Sequence, residues 1–158
     1  MHPGFSNSIV LFLALTTGLA LPPVSAADTP LTEAALTQWL EGYKAAWEAR
    51  DADNAAALFT PDATYQDEAF TPPHVGTQGI KDYWTRVTTG QRDVKFQYQV
   101  LSVKGSTGIA HWSAQFAVAD TPTTIKLDGV FLLEFSADGK CRSLREWWHL
   151  QSSPPPAQ

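Results

Sequence analysis

The chain has 158 residues, with 11 Lys and Arg against 16 Asp and Glu, a formal net charge of −5. That length suits one domain, and an acidic balance without a basic stripe speaks against a nucleic-acid partner. The single cysteine, Cys141, excludes an internal disulfide as a staple for the fold.

The first feature along the chain is the uncharged apolar run Ile9 to Leu21, followed by Pro22-Pro23 and the small-x-small pattern Val24-Ser25-Ala26. It reads as a secretory signal peptide over residues 1–26, too short for a permanent membrane span. The mature chain is then expected to start near Ala27, in the periplasm or outside the cell, and to keep no membrane span. A tethering helix or an apolar N-terminal strand is the alternative, because only His2 and the terminal amine put positive charge ahead of the run.

Thr29 before Pro30 has the form of a helix start, a capping hydroxyl followed by proline at the first helical position. Leu36, Trp39, Leu40, Tyr43, Ala46 and Trp47 then recur at steps of three and four, one apolar stripe on a helix reaching about Arg50. Asp51 can cap a short second helix from Ala52 to Phe59. Ala63 to Asp67 reads as a short extended piece, and Glu68 to Val75, with two prolines, as loop. Thr77 can cap a third helix carrying Ile80, Tyr83, Trp84 and Val87, ended by Gly90.

Beyond Gly90 the apolar residues alternate. Val94, Phe96, Tyr98 and Val100 form one such strand, and Ala110, Trp112, Ala114, Phe116 and Val118 a second. Leu127 to Phe135 and Cys141 to Leu150 follow, joined by the Asp138-Gly139 turn. Helices followed by four long antiparallel strands predict an α+β domain over residues 27–151, with helices on one face of a curved sheet. Residues 152–158, polar and rich in proline, are expected to be a disordered tail.

Three stretches resemble the NTF2-like and SnoaL-like superfamily: Ala45 to Asp53 (AAWEARDAD), Ala57 to Asp67 (ALFTPDATYQD) and Gly76 to Trp84 (GTQGIKDYW). With Asp138-Gly139-Lys140 before the last strand, the likeness runs from Leu31 to Leu150. It implies a cone-shaped curved antiparallel sheet with three N-terminal helices enclosing a pocket. It also implies the open sheet face as the surface of a homodimer. Isomerases, cyclases, hydrolases, dehydratases and plain binding proteins share this fold.

Within the superfamily the first half most resembles ketosteroid isomerase. Laid on that pattern without a gap, Tyr43 falls on the oxyanion-hole tyrosine, Asp67 on the general base and Trp84 on the pocket wall. The family's second oxyanion donor, a protonated aspartic acid, is replaced by Phe131. Glu146, sharing a strand face with Leu144 and Trp148, is the residue placed to supply the missing acid.

The resulting expectation is a pocket that binds a small apolar molecule, cyclic or carbonyl-bearing, and moves a proton on it. Its catalytic candidates are Asp67, Tyr43 and Glu146. Its wall candidates are Trp47, Tyr65, His74, Trp84, Trp112, Phe116, Phe131, Leu144 and Trp148. A carboxylate in such a cavity becomes a better base through desolvation, and a phenol donates to the oxygen that gains charge. Each has a plainer alternative: Asp67 as a turn residue, Tyr43 as core, Glu146 in a salt bridge with Arg142 or Arg145, His74 as an exposed loop residue. A non-catalytic ligand carrier or accessory dimer fits the same pattern.

His111 and His149 alternate with Trp112 and Trp148 and so are expected to point away from the pocket. Neither these nor His74 and Cys141 have metal-ligand spacing, and no metal site or cofactor is expected. There is no glycine-rich phosphate loop and no nucleophile elbow.

Overall fold

The computed structural model describes residues 30–153. The segment read as a signal peptide and the Thr29 cap lie outside these residues, as does the tail beyond Ser153. Helix α1 spans Glu33–Ala49. Its cap is Thr32, whose hydroxyl accepts from the Ala35 amide at 3.1 Å, so the helix begins later than the Thr29-Pro30 signal suggests. The expected stripe from Leu36 to Trp47 is buried, and Arg50 ends the helix in the left-handed region at φ 57°.

Helix α2, Ala52–Ala57, is capped by Asp51, which accepts from the Asn54 amide. It stops short of Phe59 because Phe59 opens strand β1, Phe59–Gln66. This strand is longer than the extended piece expected at Ala63 to Asp67. It runs parallel to the last strand, with Tyr65 opposite Leu144. Within the loop of two prolines, His74–Val75 form a two-residue strand, β2, paired with Thr64 and Tyr65. Helix α3, Gly76–Thr88, follows directly. Its N-cap is Val75, without a side-chain bond, and Thr77 lies inside the helix rather than capping it. The third helix therefore comes after two strands rather than completing an N-terminal set of three.

The remaining strands are β3 (Gln91–Lys104), β4 (Thr107–Val118), β5 (Thr124–Phe135) and β6 (Cys141–Ser153). The curved sheet is ordered β2-β1-β6-β5-β4-β3. Ser152 and Ser153, expected in the disordered tail, belong to β6 and pair with Ile125 and Thr124.

The helices lie against the sheet face that carries Phe96, Trp112, Phe131 and Glu146. Two charged residues of α1 fix it to β3. Glu48 accepts from the Phe96 amide at 2.9 Å, and Lys44 donates to the Phe96 carbonyl at 2.9 Å. Under α1 the rings of Phe96, Trp112 and Phe131 stack nearly parallel, with interplanar angles of 20–24°. Gly129 makes room for this layer, since a Cβ there would stand 2.9 Å from the Trp112 ring and 2.6 Å from the Trp147 carbonyl. On the outer face, Asp128 and His111 meet at 3.0 Å, both turned away from the interior.

Candidate functional site

Between α1, α3 and the inner face of β4, β5 and β6 lies a cavity of about 340 Å³. Nine of the twelve residues expected at the site border it: Tyr43, Trp47, Tyr65, Asp67, Trp84, Trp112, Phe116, Glu146 and Trp148. Phe131 and Leu144 are on the expected face but fully buried, below the cavity rather than in its wall. His74 stands behind the wall, stacked on Tyr83 with ring centroids 4.5 Å apart. Not expected from the sequence were the contributions of Tyr83, Arg86, Val87, Gln91, Leu127, Leu150 and the exposed Glu68 at the rim. Tyr83 and Val87 had been read only as the apolar stripe of the third helix. A wider groove of about 500 Å³ crosses the opposite sheet face between Lys95, Lys126 and His149. Its lining residues include no buried ionisable group, whereas the inner cavity has one in Glu146.

At the base of the cavity three side chains form a chain of hydrogen bonds. The Tyr65 hydroxyl donates to Glu146 Oε1 at 3.0 Å, and the Tyr43 and Tyr65 hydroxyls are 2.7 Å apart. Glu146 is 7% exposed and makes no salt bridge with Arg142 or Arg145. Burial pushes its carboxyl up to about 8. The Tyr65 bond works against that shift, and the charge of Asp67 adds to it. At neutral pH Glu146 is therefore a neutral acid. Its second oxygen, Oε2, has no partner among the described residues and is not sealed off, so it opens to the cavity. Burial, and after it the Glu146 charge, also holds the Tyr43 and Tyr65 phenols well above their ordinary value.

Asp67 lies at the end of β1, where the chain leaves the sheet. Its backbone carbonyl accepts from Trp148 Nε1 at 3.2 Å, which ties the start of the loop to β6. Its carboxylate is 16% exposed and 3.3 Å from His74 Nε2. The two carboxyls thus border one cavity in different surroundings, Glu146 deep and bonded to a phenol, Asp67 shallower and beside an imidazole. Unequal surroundings of this kind separate an acid from a base.

The walls are aromatic and nearly free of committed polar groups. Trp47 Nε1 donates to Gln91 Oε1 at 2.8 Å, whereas Trp84 Nε1 and Trp112 Nε1 are buried without an acceptor. Trp84 instead meets Tyr43 and Trp47 edge-on, at 5.2 and 5.5 Å. Among the described residues, no group of three or more His, Cys, Asp or Glu gathers as a metal site would need. No helix there is long and apolar enough to cross a membrane.

A family model described as a SnoaL-like domain matches residues 40–144, and the chain belongs to that family. A search of curated proteins by sequence found no match. Among solved structures, the chain is similar to a hypothetical protein of ketosteroid isomerase-like fold from Catenulispora acidiphila, in complex with trimethylamine. The identity is 18% and the TM-score 0.62, covering 70% of this chain and 84% of that one. A putative isomerase from Bacillus subtilis is 18% identical with a TM-score of 0.65, covering 73% and 87%. The epoxide hydrolase/cyclase-like enzyme SalBIII, of pyran ring formation in salinomycin, is 20% identical with a TM-score of 0.62, covering 72% and 89%. At these identities the likeness is one of fold.

Proposed function

We propose that this SnoaL-like protein binds a small apolar molecule bearing a carbonyl oxygen and moves a proton on the adjacent carbon. Asp67 is the base and Glu146 the acid. The observation that carries this reading is the pair of carboxyls in one aromatic cavity, one of them buried and neutral. Asp67 removes the proton from carbon, and the bonding electrons move into an enolate whose oxygen accepts a hydrogen bond from Glu146 Oε2. Returning the proton to a different carbon isomerises the molecule; attack by the enolate carbon on a second carbonyl of the same molecule, whose oxygen takes the displaced electron pair and then a proton, closes a ring. The isomerase and cyclase-like names among the structural neighbours are in keeping with such chemistry.

In this scheme Tyr43 and Tyr65 hold the acid in place, and the indoles exclude water from the enolate. The His74 ring beside Asp67 steadies the carboxylate. The reading extends to an exported chain, for the apolar run at residues 9–21, and to a homodimer through the outer sheet face. That face exposes Trp147 opposite Val130, which pairs in turn with His111 on the next strand. The test is deuterium exchange at the carbon next to the carbonyl of cyclic ketones in heavy water, followed by NMR. The protein is expected to accelerate exchange, and Asp67→Asn to lose on the order of a hundredfold. Binding of the ketones with exchange no faster than in buffer would make the protein a carrier and end the enzymatic reading.

A further inference from the structure

A buried hydroxyl has one hydrogen to give, and in the chain beneath the cavity each is already committed. Tyr65 donates to Glu146 Oε1, so across the 2.7 Å contact between the two phenols Tyr43 is the donor and Tyr65 the acceptor. Tyr43 therefore has no hydrogen left for a ligand, although its ring borders the cavity. That leaves the second oxygen of Glu146 as one donor, and the structure offers another on α3.

Tyr83 is 8% exposed and lines the cavity. Its hydroxyl makes no hydrogen bond within 3.5 Å among the described residues, although the Tyr65 and Asp67 side chains approach closely enough to act on it as hydrogen-bond partners, and it is not sealed from the cavity. The ring is fixed on three sides. His74 stacks on it at 4.5 Å, Tyr65 lies 4.8 Å away, and the Arg86 guanidinium sits 5.7 Å from its centroid. The hydroxyl lies close enough to both carboxyls to feel them. After burial, the charges of Glu146 and Asp67 are the next causes that hold the phenol protonated. A fixed, protonated phenol between acid and base, with no short hydrogen bond of its own, is preorganised for the oxygen that gains charge.

Building on the proton-transfer reading above, we propose that Tyr83 is a second catalytic donor, its hydroxyl meeting the same ligand oxygen as the Glu146 acid. Tyr43 then acts only through Tyr65, as a positioning residue. An enolate oxygen with two donors is matched by a planar phenol or naphthol, which presents an oxygen of the same kind on a flat apolar body.

The experiment is a fluorescence titration with 2-naphthol on the parent, Tyr83→Phe and Tyr43→Phe. Emission reports both the affinity and the fraction of bound naphthol that is ionised, across a pH series. Tyr83→Phe keeps the ring stacked on His74, and thermal melts check that both variants fold. The expected result is that Tyr83→Phe weakens binding about tenfold, as loss of one buried hydrogen bond does, and lowers the ionised fraction of bound naphthol. Tyr43→Phe is expected to do less on both counts. Parent-like affinity and ionisation in Tyr83→Phe, with loss in Tyr43→Phe, overturns the assignment while leaving the proton-transfer site intact. Failure of the parent to bind naphthol removes that site and the assignment with it.

Discussion

Around Trp39 the interior is packed solid. The indole meets Tyr43, Phe59 and Phe135 at 5.3–5.6 Å, and its N–H donates to the Leu58 carbonyl at 3.0 Å. About two helical turns further on, around Trp47, rings at similar spacings border a cavity of about 340 Å³. Into that space open a neutral acid, a carboxylate and a phenol. The two regions share α1, the sheet and much of their composition. What separates them is that the Trp39 N–H has its acceptor inside the protein, whereas Trp84 Nε1 and Trp112 Nε1 in the second are buried without one. The first region is filled by its own side chains, and the second is the one to which we assign the ligand.

The sharpest way to break this comparison is to empty the packed region. Trp39→Ala is expected to cost about 3–5 kcal/mol of stability, through lost burial and the cavity left behind, measured by urea unfolding. A smaller loss would mean that the region around Trp39 is no more tightly packed than the site.

Next in size is the pH dependence created by Glu146. A carboxyl that ionises only near 8 in the folded chain, and near its ordinary value when unfolded, gives the folded state an extra proton between the two values. Its contribution is full below the unfolded value, falls as pH rises through that window, and is gone above about pH 8. The whole span is on the order of 4 kcal/mol. Glu146→Gln, neutral at every pH, should flatten that slope, and unfolding curves at acid, neutral and alkaline pH measure the difference from the parent. Parallel slopes would show that Glu146 is solvated in the folded chain.

The smallest effect expected is that of Tyr65→Phe, which removes the phenol that donates to Glu146 and accepts from Tyr43. A loss of about 1–2 kcal/mol is expected for the broken bonds. Because Tyr65 stabilises the ionised form of Glu146, its removal also moves the carboxyl titration to higher pH. A carboxyl signal followed by infrared spectroscopy reads that shift, and a shift downward would contradict the hydrogen-bond direction.

Much of the fold was legible because it is written locally. The stripe from Leu36 to Trp47 and the alternation from Val94 to Val118 appear as a buried helix face and buried strand faces. The errors lie where a distant partner decides. Nothing near Phe59 announces that it will pair with Cys141, so the end of α2 and the parallel seam of β1 with β6 were not readable. His74 and Val75 become a strand only because β1 offers them an edge. Strand parity put Leu144, Glu146 and Trp148 on one face, and the family resemblance added Phe131, but both give direction and not depth. Neither could show that Phe131 and Leu144 lie beneath the cavity while Glu146 and Trp148 reach it.

By itself, the sequence determined the α+β architecture, the apolar face of each element and most of the residue types that meet in the cavity. These follow from periodicity, which each segment carries within itself. The tertiary structure decided which hydroxyl has a hydrogen free, which rings fill space and which leave it, and whether Glu146 holds its proton. Those properties are sums over neighbours brought from α1, β1, α3 and β6, and desolvation exists only once all of them have closed around the carboxyl.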